Sequence, residues 1–355
     1  MTSQQNDSDS TNDGYLSGLI PKFWVYLIEG LILTVCNGSI FFAIVKQAYL
    51  RFQKEYFIIA ALALTDGLNG VATFLVLPRM ILIWTGEAGR LVSRWDCLWT
   101  PWNLIYIWTD PLQTVMLLAV SIDRLLAVGL PVRYFFFDMR YACMLCGSAY
   151  GFVAVLVCLG FVTSYQYQFA ERPAVCFTSY SLDDTFYRLH NYCRVVPALL
   201  SVIVYTAVMF LFSKKSSVVM PAGQSKQRAK EIKEQLKQQR KLTATLAISC
   251  LFTLVFYVVP TLVEIVSSFS DVSSEQLAMI VPYVFIMNNL NPMMNFFIYV
   301  CKHRHLRTAI VYFFTCKRLN EAALNKVDLQ RSKRQLNPSG KPSSKPTPNR
   351  IPTVG

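Results

Sequence analysis

Charged residues are scarce in this sequence, and acidic ones especially so. Only 15% of the 355 residues are charged, with 21 Asp and Glu against 34 Lys and Arg, while 54% are apolar. A soluble domain has roughly a quarter of its residues charged. The charges are also segregated, which leaves apolar blocks of roughly twenty residues or more, the length that crosses a bilayer. The composition therefore predicts a polytopic membrane protein built from helices.

Histidine is also rare, and the cysteines do not form a framework. The three histidines, His190, His303 and His305, are not spaced to form a metal cluster within the membrane. Most of the ten cysteines fall inside apolar blocks, where Cys behaves as a small hydrophobe. These features argue against a membrane metalloenzyme, and we predict neither an enzyme nor a metal site.

We expect no cleavable signal peptide at the N-terminus. Residues 1–22 are polar and slightly acidic, without a basic start or a short apolar core. We expect a disordered extracellular arm, with the first apolar block acting as the insertion signal. Asn6-Asp7-Ser8 is a glycosylation sequon, which matters only if the arm is extracellular.

Seven apolar blocks follow the arm. They lie near residues 23–45, 56–84, 99–128, 141–164, 190–212, 242–268 and 277–300. A stretch near 303–315 mixes basic and apolar residues, which is typical of a helix on a membrane surface. We predict an all-α membrane protein whose residues 23–316 form a seven-transmembrane helix bundle with a short amphipathic eighth helix. Residues 317–355, rich in Lys, Ser, Pro and Asn, are expected to be a disordered tail.

The distribution of Lys and Arg predicts the orientation. These residues cluster after blocks one, three and five and in the C-terminal region, whereas residues 269–276 contain none. By the positive-inside rule, the N-terminus is outside and the tail is cytoplasmic. Because the basic residues lie between membrane segments, the net charge of +13 does not indicate nucleic-acid binding. The basic stretch from Lys226 to Lys241 could bind a partner protein or the anionic inner leaflet. Alternatively, it is a plain solvated face.

Polar residues embedded in the blocks carry the functional signal. Asp123-Arg124 stands at the foot of the third block, either as a simple stop signal or as a working part. Asp66 lies in the middle of the second block, where a carboxylate needs a partner, a cation or a proton. The other embedded residues are Asn37 in the first block, Tyr205 below Pro197 in the fifth, Pro260 in the sixth, and Asn291, Asn295 and Tyr299 in the seventh.

In their order and spacing, these residues resemble the rhodopsin-like (class A) family of G-protein-coupled receptors. The matching motifs are Asn37, Leu62-Ala63-Leu64-Thr65-Asp66, Asp123-Arg124 with Pro131, Pro197 with Tyr205, Pro260, and Asn295 with Tyr299. Leu125 replaces the Tyr of the Asp-Arg-Tyr motif, Phe296 replaces the Pro of the seventh-helix motif, and no Trp precedes Pro260. This divergence resembles the loosely conserved serpentine chemosensory or neuropeptide receptors of nematodes.

The resemblance implies a receptor without catalytic chemistry, whose two conformations a ligand shifts. The implied partner at the inner side is a heterotrimeric G protein, with Asp123, Arg124, Tyr205, Asn295 and Tyr299 as switch residues. A disulfide between Cys97 and Cys176 would tie the second outer loop to the third helix. Cys97 is two residues farther from Asp123 than in relatives, so an irregular helix start or a bulge near Pro111 is implied. Cys316 falls where relatives are often palmitoylated, the alternative being an unmodified thiol.

The resemblance also implies a ligand pocket and an ion site. The pocket candidates are Trp102, Tyr106, Asp110, Glu264, Phe285 and Asn289. A cationic ligand could pair with Asp110 or Glu264, although an embedded acid is more often paired within the protein or protonated. Asp66 with Asn37, Asn291 and Asn295 could hold a sodium ion as in relatives, although Gln113 and Pro292 replace the usual Ser.

Two other functions are weighed against the receptor. A transporter or channel predicts internal repeats or a charged pathway, and the sequence shows neither. A receptor-like protein that binds a ligand without signalling is compatible with the substitutions Leu125, Val258 and Phe296. The sequence leaves the ligand open among peptide, amine, lipid and odorant, and it leaves the G-protein class open.

Overall fold

The computed structural model describes residues 3–214, 248, 251–269, 274–302 and 304–315, with some side chains inside these ranges, among them 3–17 and 264–265, not described. The chain is helical over most of this length. The helices are α1 Ser3–Lys46, α2 Ala48–Arg51, α3 Lys54–Phe74, α4 Leu77–Trp84, α5 Arg94–Leu98, α6 Pro101–Gly129, α7 Pro131–Phe135, α8 Met139–Ser164, α9 Thr178–Ser181, α10 Asp184–Lys214, α11 Val259–Phe269, α12 Ser274–Lys302 and α13 Arg304–Phe314.

Five of the described helical stretches are long and apolar enough to cross a membrane. They are Ile20–Lys46, Lys54–Trp84, Pro101–Gly129, Met139–Ser164 and Asp184–Leu211, and they correspond to the first five predicted blocks. A shorter apolar helix, Leu251–Val263, belongs to the sixth block, and α12 covers the seventh. Helix α13 lies where the eighth helix is expected, and its location on a membrane surface stays a prediction. The predicted tail, 317–355, lies outside the described residues.

Proline sets several of the helix starts. Pro78, Pro101 and Pro131 lie in the first turns of α4, α6 and α7. Proline suits this position because the missing N–H would have no partner inside the helix. The missing N–H of Pro78 interrupts the second membrane segment between α3 and α4. The part of that segment after Phe74 therefore forms a separate helix, α4.

Two helices begin earlier than predicted. Helix α1 continues to Ser3, which differs from the disordered arm expected for residues 1–22. Extending an existing helix avoids the cost of nucleation, so polar residues can continue it. Helix α10 begins at Asp184 rather than near 190, because the Asp183 carboxylate accepts hydrogen bonds from the backbone N–H groups of Thr185 at 3.0 Å and Phe186 at 3.4 Å.

The predicted helical class is confirmed, and one short two-stranded sheet lies at the end of the bundle that is expected outside, which we call the outer end. Strands β1 Leu91–Ser93 and β2 Ala170–Pro173 pair antiparallel, with an irregular register after Val92. Ser93 then starts α5 with a capping box, in which its hydroxyl accepts from Asp96 N at 3.0 Å and its own N–H donates to the Asp96 carboxylate at 3.3 Å. The implied irregular start of the third helix is confirmed, because Cys97 lies in α5 and not in α6.

Helices α1 and α3 pack closely against each other at two glycines. A Cβ added to Gly30 would lie 2.4 Å from the backbone N of Phe74, and one added to Gly70 would lie 2.6 Å from the N of Thr34. The backbones are therefore in direct contact, as is common where small residues line membrane helices. Farther inward, the main apolar cluster joins side chains of α1, α3, α6, α8, α10, α12 and α13.

Candidate functional site

The C-terminal end of α6, which is expected on the cytoplasmic side and which we call the inner end, holds a buried ion pair. Asp123 and Arg124 are 1% and 3% exposed. Arg124 Nε donates to Asp123 Oδ2 at 2.8 Å, and Arg124 Nη2 contacts the same oxygen. A charged pair this deeply buried is held by partners rather than by water, which separates it from a simple stop signal at a helix end.

Tyr134 completes this pair and was not foreseen from the sequence. Its hydroxyl donates to Asp123 Oδ1 at 3.0 Å and accepts from Arg124 Nη2 at 3.2 Å. Burial raises the pKa of Tyr134, so the phenol stays protonated and able to donate at neutral pH. The short helix α7, begun by Pro131, places the ring beneath α6. We call Asp123, Arg124 and Tyr134 the inner cluster.

Lys54 holds α7 in place. Its Nζ donates to the carbonyl oxygens of Tyr134 at 2.6 Å and Phe137 at 2.8 Å, which are near the C-terminal end of α7. The same ammonium lies 3.9 Å from the centroid of the Tyr134 ring. A cation is favourable both at a helix C-terminus and over an aromatic face. The first residue of α3 therefore fixes the tyrosine that contacts the ion pair.

The other predicted switch residues are buried in the core. Tyr205 and Tyr299 are each 3% exposed and belong to the main apolar cluster, and Asn295 is 2% exposed. They come from α10 and α12, the helices of the fifth and seventh segments. The structure thus places all five predicted switch residues inside the bundle.

Asp66, predicted to hold a sodium ion, is hydrogen-bonded to a side chain of α6. Gln113 Nε2 donates to Asp66 Oδ1 at 3.0 Å, and Asp66 is 3% exposed. A hard cation needs oxygen ligands, whereas the amide presents an N–H to the carboxylate. Asn291 Oδ1 accepts a hydrogen bond from Thr253 Oγ1 at 2.9 Å. Asn37 donates to Leu33 O of its own helix at 3.3 Å.

A second polar chain crosses four helices. Asn289 Nδ2 donates to Glu29 Oε2 at 3.1 Å, and Asn289 Oδ1 accepts from Asn69 Nδ2 at 3.4 Å. Thr109 Oγ1 donates to Asn69 Oδ1 at 3.3 Å. Glu29 is only 6% exposed. Sequence reasoning missed this acid, although a single Glu in an apolar run was a visible signal. Asn289, predicted to line the pocket, is a link in this chain.

The predicted disulfide joins Cys97 and Cys176 at the outer end. The carbonyl oxygen of Cys176 accepts three hydrogen bonds, from Asn103 Nδ2 at 2.9 Å, Arg79 Nη2 at 3.2 Å and Trp102 Nε1 at 3.3 Å. Cys176 has a φ of 48°, a conformation rare for a residue with a side chain. Side chains from α4 and α6 therefore hold the second outer loop in addition to the covalent bond.

Asp110 is paired within the protein. Its Oδ2 lies 2.8 Å from Arg194 Nε of α10, in an ion pair rather than an aligned hydrogen bond. Asp110 is 3% and Arg194 7% exposed. Arg194 also donates to Asn191 at 3.3 Å and reaches the Tyr257 hydroxyl at 3.5 Å. Tyr257 lies in a π-helical segment, Leu254–Val258, next to Pro260. The cation available to Asp110 is thus a side chain, which weakens the idea of a cationic ligand there.

The aromatic pocket candidates come together from separate helices. The Tyr106 ring of α6 stacks on Phe285 of α12, with centroids 5.5 Å apart. Phe285 also contacts the ring of Tyr26 at 4.7 Å. Tyr106 and Phe285 remain partly exposed, although they lie between helices of the bundle. We call Tyr106 and Phe285 the aromatic wall; it is partly open and lies in the half of the bundle that is expected outside.

Some predicted sites lie outside what the structure describes. Cys316 and the stretch from Lys226 to Lys241 are not among the described residues, and for Asn6 and Glu264 the helix is described but the side chain is not. Palmitoylation, glycosylation and the contact of Glu264 with a ligand stay predictions.

One comparison with known proteins assigns the chain. A family model described as "Serpentine type 7TM GPCR chemoreceptor Srsx" matches residues 31–314. The match runs from α1 to α13 and includes the inner cluster, the disulfide and the aromatic wall. No curated protein matches the sequence.

Proposed function

Because this chain belongs to the Srsx family of serpentine seven-transmembrane G-protein-coupled chemoreceptors, we propose that it detects an extracellular ligand and activates a heterotrimeric G protein. The ligand is expected in the outer half of the bundle and the G protein at the inner end. The excess of Lys and Arg on one side supports an extracellular N-terminus and a cytoplasmic tail in the cell membrane.

The observation that supports this proposal most is the inner cluster. Its arginine is buried, and it is hydrogen-bonded to Asp123 of its own helix and to Tyr134 of the short α7 that follows. An arginine held in this way can be released by a small movement of α7, without separating two long helices. Two discrete arrangements of such an element are what a switch requires.

Release of Arg124 is the proposed activating step. The ligand stabilises the conformation that it binds more tightly, and the helices rearrange accordingly. Arg124 then leaves Asp123 and Tyr134 and presents its guanidinium to the G protein. Its fixed charge and planar donors suit contact with carbonyl groups at the end of a partner helix.

We further propose that this receptor works without a sodium ion at Asp66. The Gln113 amide supplies the hydrogen bond that a bare carboxylate needs in this buried place. The polar centre of the bundle is then satisfied by side chains alone.

The test is nucleotide exchange on a panel of G proteins in membranes that carry the full chain, screened with pooled peptides and small metabolites. We expect ligand-dependent exchange in the wild type and its loss in Arg124→Ala. The matched control is Arg140→Ala, which removes the same charge from an exposed position at the inner side.

Other outcomes would contradict the proposal in different ways. Ligand binding without exchange on any G protein would favour a receptor-like protein that does not signal. Solute flux across the same membranes, unaffected by Arg124→Ala, would favour a transporter.

A further inference from the structure

Arg79 is a charged residue within the second membrane segment. It follows Pro78 in the first turn of α4, inside the span Lys54–Trp84. A charge in this position is expensive in lipid, so its retention needs a reason. The guanidinium carbon lies 5.3 Å from the centroid of the Trp102 ring and 5.6 Å from that of Phe177. Two aromatic rings thus support it at the outer end.

Arg79 differs from the other deeply placed arginines in what it pairs with. Arg94, Arg124 and Arg194 each form an ion pair, with Asp184, Asp123 and Asp110 respectively. Among the described side chains, no carboxylate forms an ion pair with Arg79. Its hydrogen bonds go to neutral acceptors, the Asn103 amide oxygen at 3.4 Å and the Cys176 carbonyl at 3.2 Å.

Part of the Arg79 guanidinium is left without a hydrogen-bond partner. Both hydrogen bonds are made by Nη2, whereas Nε is buried and has no hydrogen-bond partner. An unsatisfied buried donor on a charged group is unfavourable. In the described part of the chain Nη1 makes no hydrogen bond either, so Nε and Nη1 keep donors that could form charge-assisted hydrogen bonds with a carboxylate.

The Arg79 guanidinium lies beside the aromatic wall. The guanidinium lies over Phe177, and Phe177 packs in one apolar cluster with Tyr26 and Phe285, the ring on which Tyr106 stacks. Arg79, Tyr106, Phe177 and Phe285 are all only partly buried, although they belong to different segments that face one another. Among the described side chains, the site therefore combines a cation that has no ion-paired acid with an apolar surface that is not fully covered.

We propose that Arg79 is the counter-ion for a ligand that carries a carboxylate, with the apolar part of the ligand against Tyr106 and Phe285. This inference rests on the proposed receptor function and names the ligand class: small organic acids rather than amines. Asp110 supports the choice, because its pairing with Arg194 leaves this acid neutralised by a side chain.

The test measures binding without a G protein, so that it does not depend on signalling. The full chain is reconstituted in lipid nanodiscs, and its melting temperature is followed with millimolar benzoate and hexanoate against their uncharged partners, benzamide and hexanamide. We expect both acids to raise the melting temperature of the wild type more than their amides do.

Three variants assign this difference to Arg79. Arg79→Gln should weaken acid binding roughly tenfold or more, because it removes a charge-assisted contact, while the amide of Gln can still donate toward Cys176 O. Arg79→Lys keeps the charge without the planar fork and should retain part of the effect. Arg90→Gln removes an exposed outer arginine and should leave the effect unchanged.

The proposal is overturned if the acids act no more strongly than the amides, or if neither acid has any effect. It is also overturned if their advantage persists in a folded Arg79→Gln variant. Ligand-dependent exchange that responds only to amines would overturn this inference and leave the proposed receptor function standing. Acid binding without nucleotide exchange would support this inference and contradict the proposed receptor function.

Discussion

Helix α6 carries two buried aspartate–arginine pairs that are built in different ways. At the inner end, Asp123 pairs with the next residue of the same helix, and Tyr134 from a short adjoining helix bridges them. In the outer half, Asp110 pairs with Arg194 across the interface with α10. All four charged residues are at most 7% exposed, so burial does not distinguish the pairs.

The difference lies in what must move to open each pair. The inner pair can open by rotation of one side chain and displacement of α7, while α6 and α10 stay packed. The outer pair opens only if two long helices separate or if both charges are left buried and uncompensated. The same chemistry therefore acts as a releasable contact at one end and as a permanent link between helices at the other.

The largest expected effect comes from breaking the outer pair. Asp110→Asn leaves Arg194 buried without its counter-charge, which should lower stability by about 3–5 kcal/mol, seen as a large drop in the melting temperature of purified receptor. The matched variant Asp123→Asn should lose less stability than Asp110→Asn, because Arg124 lies near the inner end and can turn toward water. Asp110→Leu combined with Arg194→Met should recover most of the loss. A single variant as stable as the wild type would show that the outer pair is not a structural link.

A smaller effect is expected from loosening the inner cluster. Tyr134→Phe removes the hydroxyl that contacts Asp123 and Arg124, at a cost of about 1 kcal/mol, and keeps the ring beneath Lys54. We expect nucleotide exchange without ligand to rise, because the released state gains population. Tyr49→Phe, at an exposed tyrosine, serves as the control. Unchanged basal exchange in Tyr134→Phe would mean that the hydroxyl does not restrain Arg124.

The smallest effect is expected at Asp66, whose partner is neutral. Exchanging sodium for potassium should leave acid binding and basal exchange of the wild type unaltered, because Gln113 already occupies the carboxylate. Gln113→Ser removes the amide and restores the residue that relatives often have, so sensitivity to sodium should appear. Wild-type receptor that responds to sodium would contradict the proposed role of Gln113.

The positions of the helices were largely predictable from sequence, because long apolar runs dictate them. The first five predicted blocks coincide with membrane-spanning candidates, and the disulfide and the buried Asp123–Arg124 pair are as expected. The early starts of α1 and α10 were not predicted, because a polar helix end depends on local capping that apolar periodicity does not register.

The partners of the embedded residues were the part that sequence could not supply. Tyr134, Arg194 and Gln113 contact their acids from other segments, and these contacts depend on how each helix is rotated about its axis. Glu29 and Arg79 could have been singled out as isolated charges in apolar runs, but not their surroundings. A charged residue in a membrane segment indicates a position of interest, whereas the packing determines whether a side chain or a ligand pairs with that charge.

The contact between Gly30 and Gly70 has a consequence for how the protein is made. Both glycines belong to the first two membrane segments, and their backbones meet without intervening side chains. These segments leave the ribosome before α6 is synthesised, and all the groups that form their crossing are then present. The two segments can close as a helical hairpin during insertion. The later helices then pack against a hairpin that already contains Asp66 and Glu29.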